Sequence, residues 1–192
     1  MSVRAQILNA ISTNKPVLID LPAISLEQVT QYDDVFTKFK TTLEGIGGQV
    51  LELNVIAELQ SLIDEEINAG HYVLNAINGA NEEVNSSKDA ITLEPVHKAF
   101  IKAEIGIAEN GAVWVKESAM INRLLPFICQ HLVVVLEKEK IVSTMHHAYQ
   151  QLNVFEEGFG VFIAGPSKTA DIEQSLVIGA HGARSMTVYI LN

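Results

Sequence analysis

Val3, Ile7, Leu8 and Ile11 recur at helical spacing, so the chain is expected to open with an amphipathic helix. Pro16 and Pro22 bracket a short extended piece, Val-Leu-Ile-Asp. Ser25, with Gln28 three positions on, resembles a capping box. A helix is expected to follow it through Val29, Phe36, Phe39 and Leu43 and to stop at the glycines of Gly45–Gly48. Gln-Val-Leu-Glu-Leu then reads as a strand, Val55 to Gly70 as a helix, and Tyr72 to Ile77 as another strand. Residues 79–94 are polar and weakly patterned and read as loop. Lys98 to Ser118 reads as two strands about the turn Asn110-Gly111, because both residues tolerate positive φ. His131–Leu136 is a buried strand leading into a charged helix start, and Val142 to Leu152 is helical. Phe159–Gly165 and Ser185–Leu191 are the last strands.

Strands and helices thus alternate along most of the chain. That is the pattern of an α/β protein with a mostly parallel sheet covered by helices on both faces. The runs His-Leu-Val-Val-Val-Leu and Gly-Val-Phe-Ile-Ala suit strands buried on two sides. With 192 residues the chain is read as a single domain, 1–192, with a helical segment to about residue 45 packing on the core. The apolar fraction of 48% against 19% charged residues supports a real core.

Charge narrows the partners. Lys and Arg number 13 against 23 Asp and Glu, a net charge of -10, and no basic cluster exists to neutralise phosphates, so nucleic acid is set aside. The single cysteine, Cys129, cannot form an internal disulfide and sits in an apolar run. A reducing, cytoplasmic setting and a buried thiol are expected. One thiol also falls short of the roughly four that an iron–sulfur cluster needs, so no such cofactor is expected on this chain. The start, Met-Ser-Val-Arg-Ala-Gln-Ile-Leu, lacks a leader's cleavage pattern. The longest apolar run is far short of the roughly 20 residues a bilayer requires, so no membrane insertion is expected.

The densest mixture of small and charged residues lies near the end, in Gly160–Arg184. Gly-Val-Phe-Ile-Ala-Gly-Pro-Ser-Lys-Thr superficially fits a phosphate loop, but Lys168 follows Gly165 by three positions instead of one, which excludes it. A strand, the Gly165-Pro166-Ser167-Lys168-Thr169 corner and a short helix are expected instead. Ser167 or Thr169 would cap that helix, with Asp171 and Glu173 in its first turn. In open α/β sheets ligands sit outside the carboxyl ends of strands, and His181 and Arg184 would close back over that end. No metal site is expected. His146 and His147 are adjacent and diverge by about 100°, while His71 and His97 fall in loop-like contexts.

This segment resembles the signature of the lactate-utilisation protein C family, the LUD domain. The family carries Gly-Pro-Ser-x-Thr-Ala-Asp-Ile-Glu, then Gly-x-His-Gly-Pro-Arg, then a terminal strand. Here those are Gly165, Pro166, Ser167, Thr169, Ala170, Asp171, Ile172 and Glu173, then Gly179, His181, Gly182 and Arg184, with Ala183 in place of proline. Ala108 and Gly111 resemble an Ala-x-Thr-Gly-Thr strand pair, with Asn110 in place of threonine. Leu125-Pro126 before the His131 strand is a weaker match. The resemblance implies a fold like the NagB/RpiA/CoA-transferase class. It also implies a part in converting L-lactate to pyruvate alongside iron–sulfur partner proteins.

Three functions stay open at this point. In the first, a lactate-oxidising component binds a small anionic metabolite through Asn110, Gly165, Ser167, Thr169, Asp171, Glu173 and Arg184. Arg184 would clamp the carboxylate, and His181 would accept the hydroxyl proton, since imidazoles titrate near neutral pH. In the second, Glu109 is the acid, base or nucleophile of an enzyme on a sugar phosphate, a folate or a CoA thioester. The third is an interaction module that binds no metabolite. A homodimer is compatible with all three.

Overall fold

The computed structural model describes residues 2–20, 22–77, 90–153, 158–170 and 176–192. Helix α1 (Val3–Thr13) forms where its spacing predicts, capped by the Ser2 hydroxyl, yet none of its residues is buried. The helix expected from Ser25 to Leu43 is broken in two. Leu26–Gln28 is a single 3-10 turn, and Ser25 makes no side-chain capping bond. Helix α2 (Val35–Gly45) starts instead at Asp34, whose carboxylate accepts the Thr37 amide at 2.9 Å. This is the better cap because it places Phe39 and Leu43, both fully buried, on the core face. The chain leaves α2 through Gly47, at φ +93°, and the Gly48 amide returns to the Leu43 carbonyl at 2.9 Å.

Strand β1 (Gln49–Leu53), helix α3 (Ala57–Asn68) and strand β2 (Val73–Asn75) follow as expected. After α4 (Ala90–Leu93), the stretch expected to form two strands forms three: β3 (Lys98–Lys102), β4 (Ile105–Ile107) and β5 (Ala112–Lys116). Gly111 turns the β4–β5 hairpin at φ +70°, and a Cβ there would stand 2.9 Å from the Leu43 Cα. Glycine is therefore required both by the backbone and by the approach of α2. Then come α5 (Leu125–Ile128), β6 (His131–Glu137), β7 (Ile141–Val142) and α6 (Met145–Gln151). The charged residues after β6 form a 3-10 turn, Lys138–Lys140, rather than a helix start. The chain ends in β8 (Gly160–Ile163), β9 (Lys168–Ala170), β10 (Leu176–Ile178) and β11 (Ser185–Leu191).

Five strands in the order β1-β11-β6-β3-β2 make an all-parallel sheet. The run Leu132–Leu136 is apolar and buried throughout because its strand is central and both faces are covered. Val133 and Val135 join Leu53, Phe100 and the α3 residues Leu59 and Ile63 on one face. Leu132, Val134 and Leu136 join Val188, Ile190 and the α2 residues Phe39 and Leu43 on the other. Helices therefore lie on both faces, and a second sheet, β7-β4-β5-β8, shares the cover of the α2 face.

The helix expected after Ser167 is corrected. Lys168–Ala170 is a strand, pairing antiparallel with Leu176–Ile178 through Thr169 opposite Val177. Local capping chemistry is overridden by backbone pairing: the Ser167 amide donates to the Ala183 carbonyl at 2.9 Å, and the Ser167 carbonyl accepts from Gly179 at 3.0 Å. Asp171 and Glu173, assigned to a first helical turn from the sequence, lie outside the described residues.

Candidate functional site

Gly165, at φ +72°, turns the chain off β8 over the Ile46 end of α2. The two hydrogen bonds that hold Ser167 between Ala183 and Gly179 then tie this corner to the segment before β11. Gly182 follows so closely that a Cβ on it would stand 3.0 Å from the Ser167 Cβ. The result is a cleft of about 290 Å³ with Ser167, Lys168 and His181 on its walls and Phe127, Leu132 and Phe162 as apolar lining. A hydroxyl, an ammonium and an exposed imidazole around an apolar floor can hold a small anion with a short carbon chain. Lys168 reaches toward Gly47, just past the C-terminal end of α2, where a cation complements the helix dipole.

Gly165, Ser167 and His181 thus come together as the sequence suggests. Thr169 continues from Ser167 into β9. The other candidates go elsewhere. Arg184 does not line the cleft; its amide donates to Gln130 at 2.8 Å, and its Cγ occupies the space that a Cβ on Gly179 would need, 2.4 Å away. Glu109 and Asn110 do not line it either. The Glu109 carboxylate accepts the Met145 amide at 2.6 Å, at the start of α6, and the Asn110 side chain accepts the Ala112 amide at 3.0 Å. The cleft also lies at the amino ends of β6 and β11, marked by Leu132 and Ala183, not at the carboxyl ends expected for an open parallel sheet. At the carboxyl ends another cleft of about 290 Å³ holds the pairs Lys102–Glu137 at 2.7 Å and Lys116–Glu104 at 2.9 Å. The Lys102 bond holds the Glu137 carboxyl below its ordinary range.

A second polar cluster borders the first, sharing Leu132, and sequence reasoning missed it. His71 follows the Gly70 stop of α3, His97 precedes β3, and His131 opens β6. Parallel pairing sets Lys98 opposite His131, so residues far apart in sequence meet at one sheet edge. The His71 and His97 rings stack with centroids 3.8 Å apart, and His131 meets His97 edge-on at 4.9 Å. Glu66, from α3, accepts from His71 Nδ1 at 2.7 Å and bonds Lys98 through its other oxygen. His131 Nδ1 lies 2.7 Å from the Ser185 hydroxyl. The Lys98 hydrogen bond holds the Glu66 carboxyl below its usual range. Burial first, and then the neighbouring His71, pushes His97 below the usual imidazole value; burial and then His97 do the same to His131. The sequence signal was faint: a histidine at or just before the first position of two apolar strands, and a third beyond a helix-ending glycine.

The model of the LUD domain matches residues 90–191, more than half of the chain and all of the Ser167–His181 cleft. Lactate utilization protein C of Bacillus pumilus is 31% identical over 122 residues, covering 60% of this chain and 50% of that protein. The protein of the same name from Geobacillus thermodenitrificans is 34% identical over 86 residues, covering 42% of this chain and 36% of its own. The chain spans about half the length, or less, of these curated relatives. The crystal structure of a DUF162 family protein from Deinococcus radiodurans superposes with a TM-score of 0.61, over 88% of this chain and 100% of that one, at 13% identity. That likeness concerns the fold. Among the described residues, no helix is long and apolar enough to cross a membrane.

Proposed function

This chain belongs to the LUD-domain family, and from that premise we propose that it serves lactate utilisation, binding a small 2-hydroxy or 2-oxo acid in the Ser167–His181 cleft. The observation that carries the reading is the meeting of Ser167, Lys168 and His181 in one accessible cleft inside the matched region. The Ser167 hydroxyl holds the carboxylate, Lys168 turns in from beside Gly47 to pair with it, and the apolar lining takes the methyl group. His181 accepts the proton of the 2-hydroxyl. Thr169 carries the same sequence motif into β9, and Asp171 and Glu173 continue it in sequence. Arg184 draws anions toward this edge without clamping them.

Oxidising a 2-hydroxy acid to a 2-oxo acid removes two electrons and two protons. One buried cysteine gives this chain no thiolate set for an iron–sulfur cluster. In this reading His181 takes the hydroxyl proton, while the C2 hydrogen, as the second proton, and both electrons pass to iron–sulfur partner proteins, to which this chain presents the acid. A thermal-shift panel tests the reading. L-lactate and pyruvate are expected to raise Tm in the parent and not in Ser167→Ala. A rise with sugar phosphates or CoA esters alone would replace this reading with that of a phosphate- or thioester-handling enzyme.

A further inference from the structure

Outside that cleft, Glu66, His71 and His97 bring one carboxylate oxygen and two imidazole nitrogens within 4.8 Å of one another. We propose that these three side chains form a binding site for a divalent transition-metal ion of the Zn²⁺ type. Two histidines and one glutamate are the donor set of open zinc sites, with bonds of about 2.0–2.2 Å. At tetrahedral angles such bonds set neighbouring donors about 3.3 Å apart. The separations here bracket that value: His71 Nδ1 to Glu66 Oε2 is 2.7 Å and His97 Nε2 to the same oxygen is 3.9 Å. Binding requires His71 Nδ1 to give up the hydrogen it donates to Glu66 and the stacked His71 and His97 rings to turn so that both lone pairs meet the ion.

The surroundings are those of a held site. Lys98 fixes the other Glu66 oxygen, so the ligating oxygen keeps its aim. The His131 ring, itself bonded to Ser185, backs the His97 ring. The donors face a cleft of about 280 Å³, which leaves an outer coordination position for water or a substrate oxygen. Lys98 also repels a cation, which lowers the affinity without removing the site.

The test uses the tag-free chain, titrated with Zn²⁺ in a calorimeter and with Co²⁺ by visible absorption. One ion per chain is expected. Glu66→Gln and His97→Ala should each weaken binding at least about tenfold, while His146→Ala/His147→Ala leaves it unchanged. Should His97→Ala fail to fold, Glu66→Gln, which keeps the shape of the side chain, decides alone. No saturable binding by the parent, parental affinity in Glu66→Gln, or loss of binding only in the His146/His147 variant would overturn the site. Acid binding in the Ser167 cleft is read separately, by Tm with L-lactate in metal-free buffer, so either proposal can fail without the other.

Discussion

Gly182 and Ser167 face each other so closely that a methyl group on the glycine would stand 3.0 Å from the serine Cβ. The glycine is absent from the positive-φ positions, so alanine strains no backbone there and acts only by pressing on Ser167. Gly182→Ala is therefore expected to fold, to lose about 1–3 kcal/mol of stability, and to weaken acid binding measured by calorimetry. Unchanged affinity would detach Ser167 from the site.

Glu109 reads differently in space than in sequence. Its carboxylate accepts the Met145 amide at 2.6 Å, where Thr144 makes no side-chain cap for α6. Glu109→Ala should lower stability by about 1 kcal/mol in urea unfolding, the usual worth of a helix cap, and leave acid binding at the parental level. A loss of binding with stability intact would return Glu109 to the chemistry.

Gly160 lies beneath the indole of Trp114, and a Cβ on it would fall 2.3 Å from Cζ2 of that ring. The ring is held on its other neighbour, Phe162, at 4.5 Å between centroids. Gly160→Ala should cost about 1–3 kcal/mol and shift the fluorescence of Trp114, the chain's one tryptophan. An unchanged spectrum and midpoint would contradict this packing.

Burial pushes the Cys129 thiol up to about 12, whereas a thiol in an unfolded chain titrates near 8.5. Across that interval the folded state keeps its proton while the unfolded state loses it, so stability falls as pH rises from about 8.5 toward 12. Tyr189, raised by burial, adds in the same direction at higher pH. Iodoacetamide should leave the native protein unlabelled at pH 8 and label it once unfolded, and the alkaline slope of Tm should flatten in Cys129→Ser. Rapid labelling of the native protein would refute the burial.

How much of this was legible depended on how local the cause was. The apolar run of β6 announces a strand covered on both faces, and α3 declares itself by its periodicity and its Gly70 stop. The Ser167 corner and His181 could be paired from their motif. The path between them could not, because the choice of strand over helix at Lys168–Ala170 rests on bonds to Gly179, Ala183 and the β10 strand. Arg184 was misdirected for a related reason: its backbone is set by Gln130, at the neighbouring strand's entry. The histidine cluster was least legible, since its members are joined only by the parallel register of β3 and β6 and the return of α3.

The central claim is that the Ser167–His181 cleft binds a small 2-hydroxy or 2-oxo acid. Calorimetric titration of L-lactate and pyruvate into the parent, Ser167→Ala and His181→Ala tests it most directly. Saturable one-to-one binding by the parent, weakened at least about tenfold in both variants as lost charge-assisted hydrogen bonds require, is the predicted result. Absence of binding by the parent, or equal affinity in all three proteins, would contradict it.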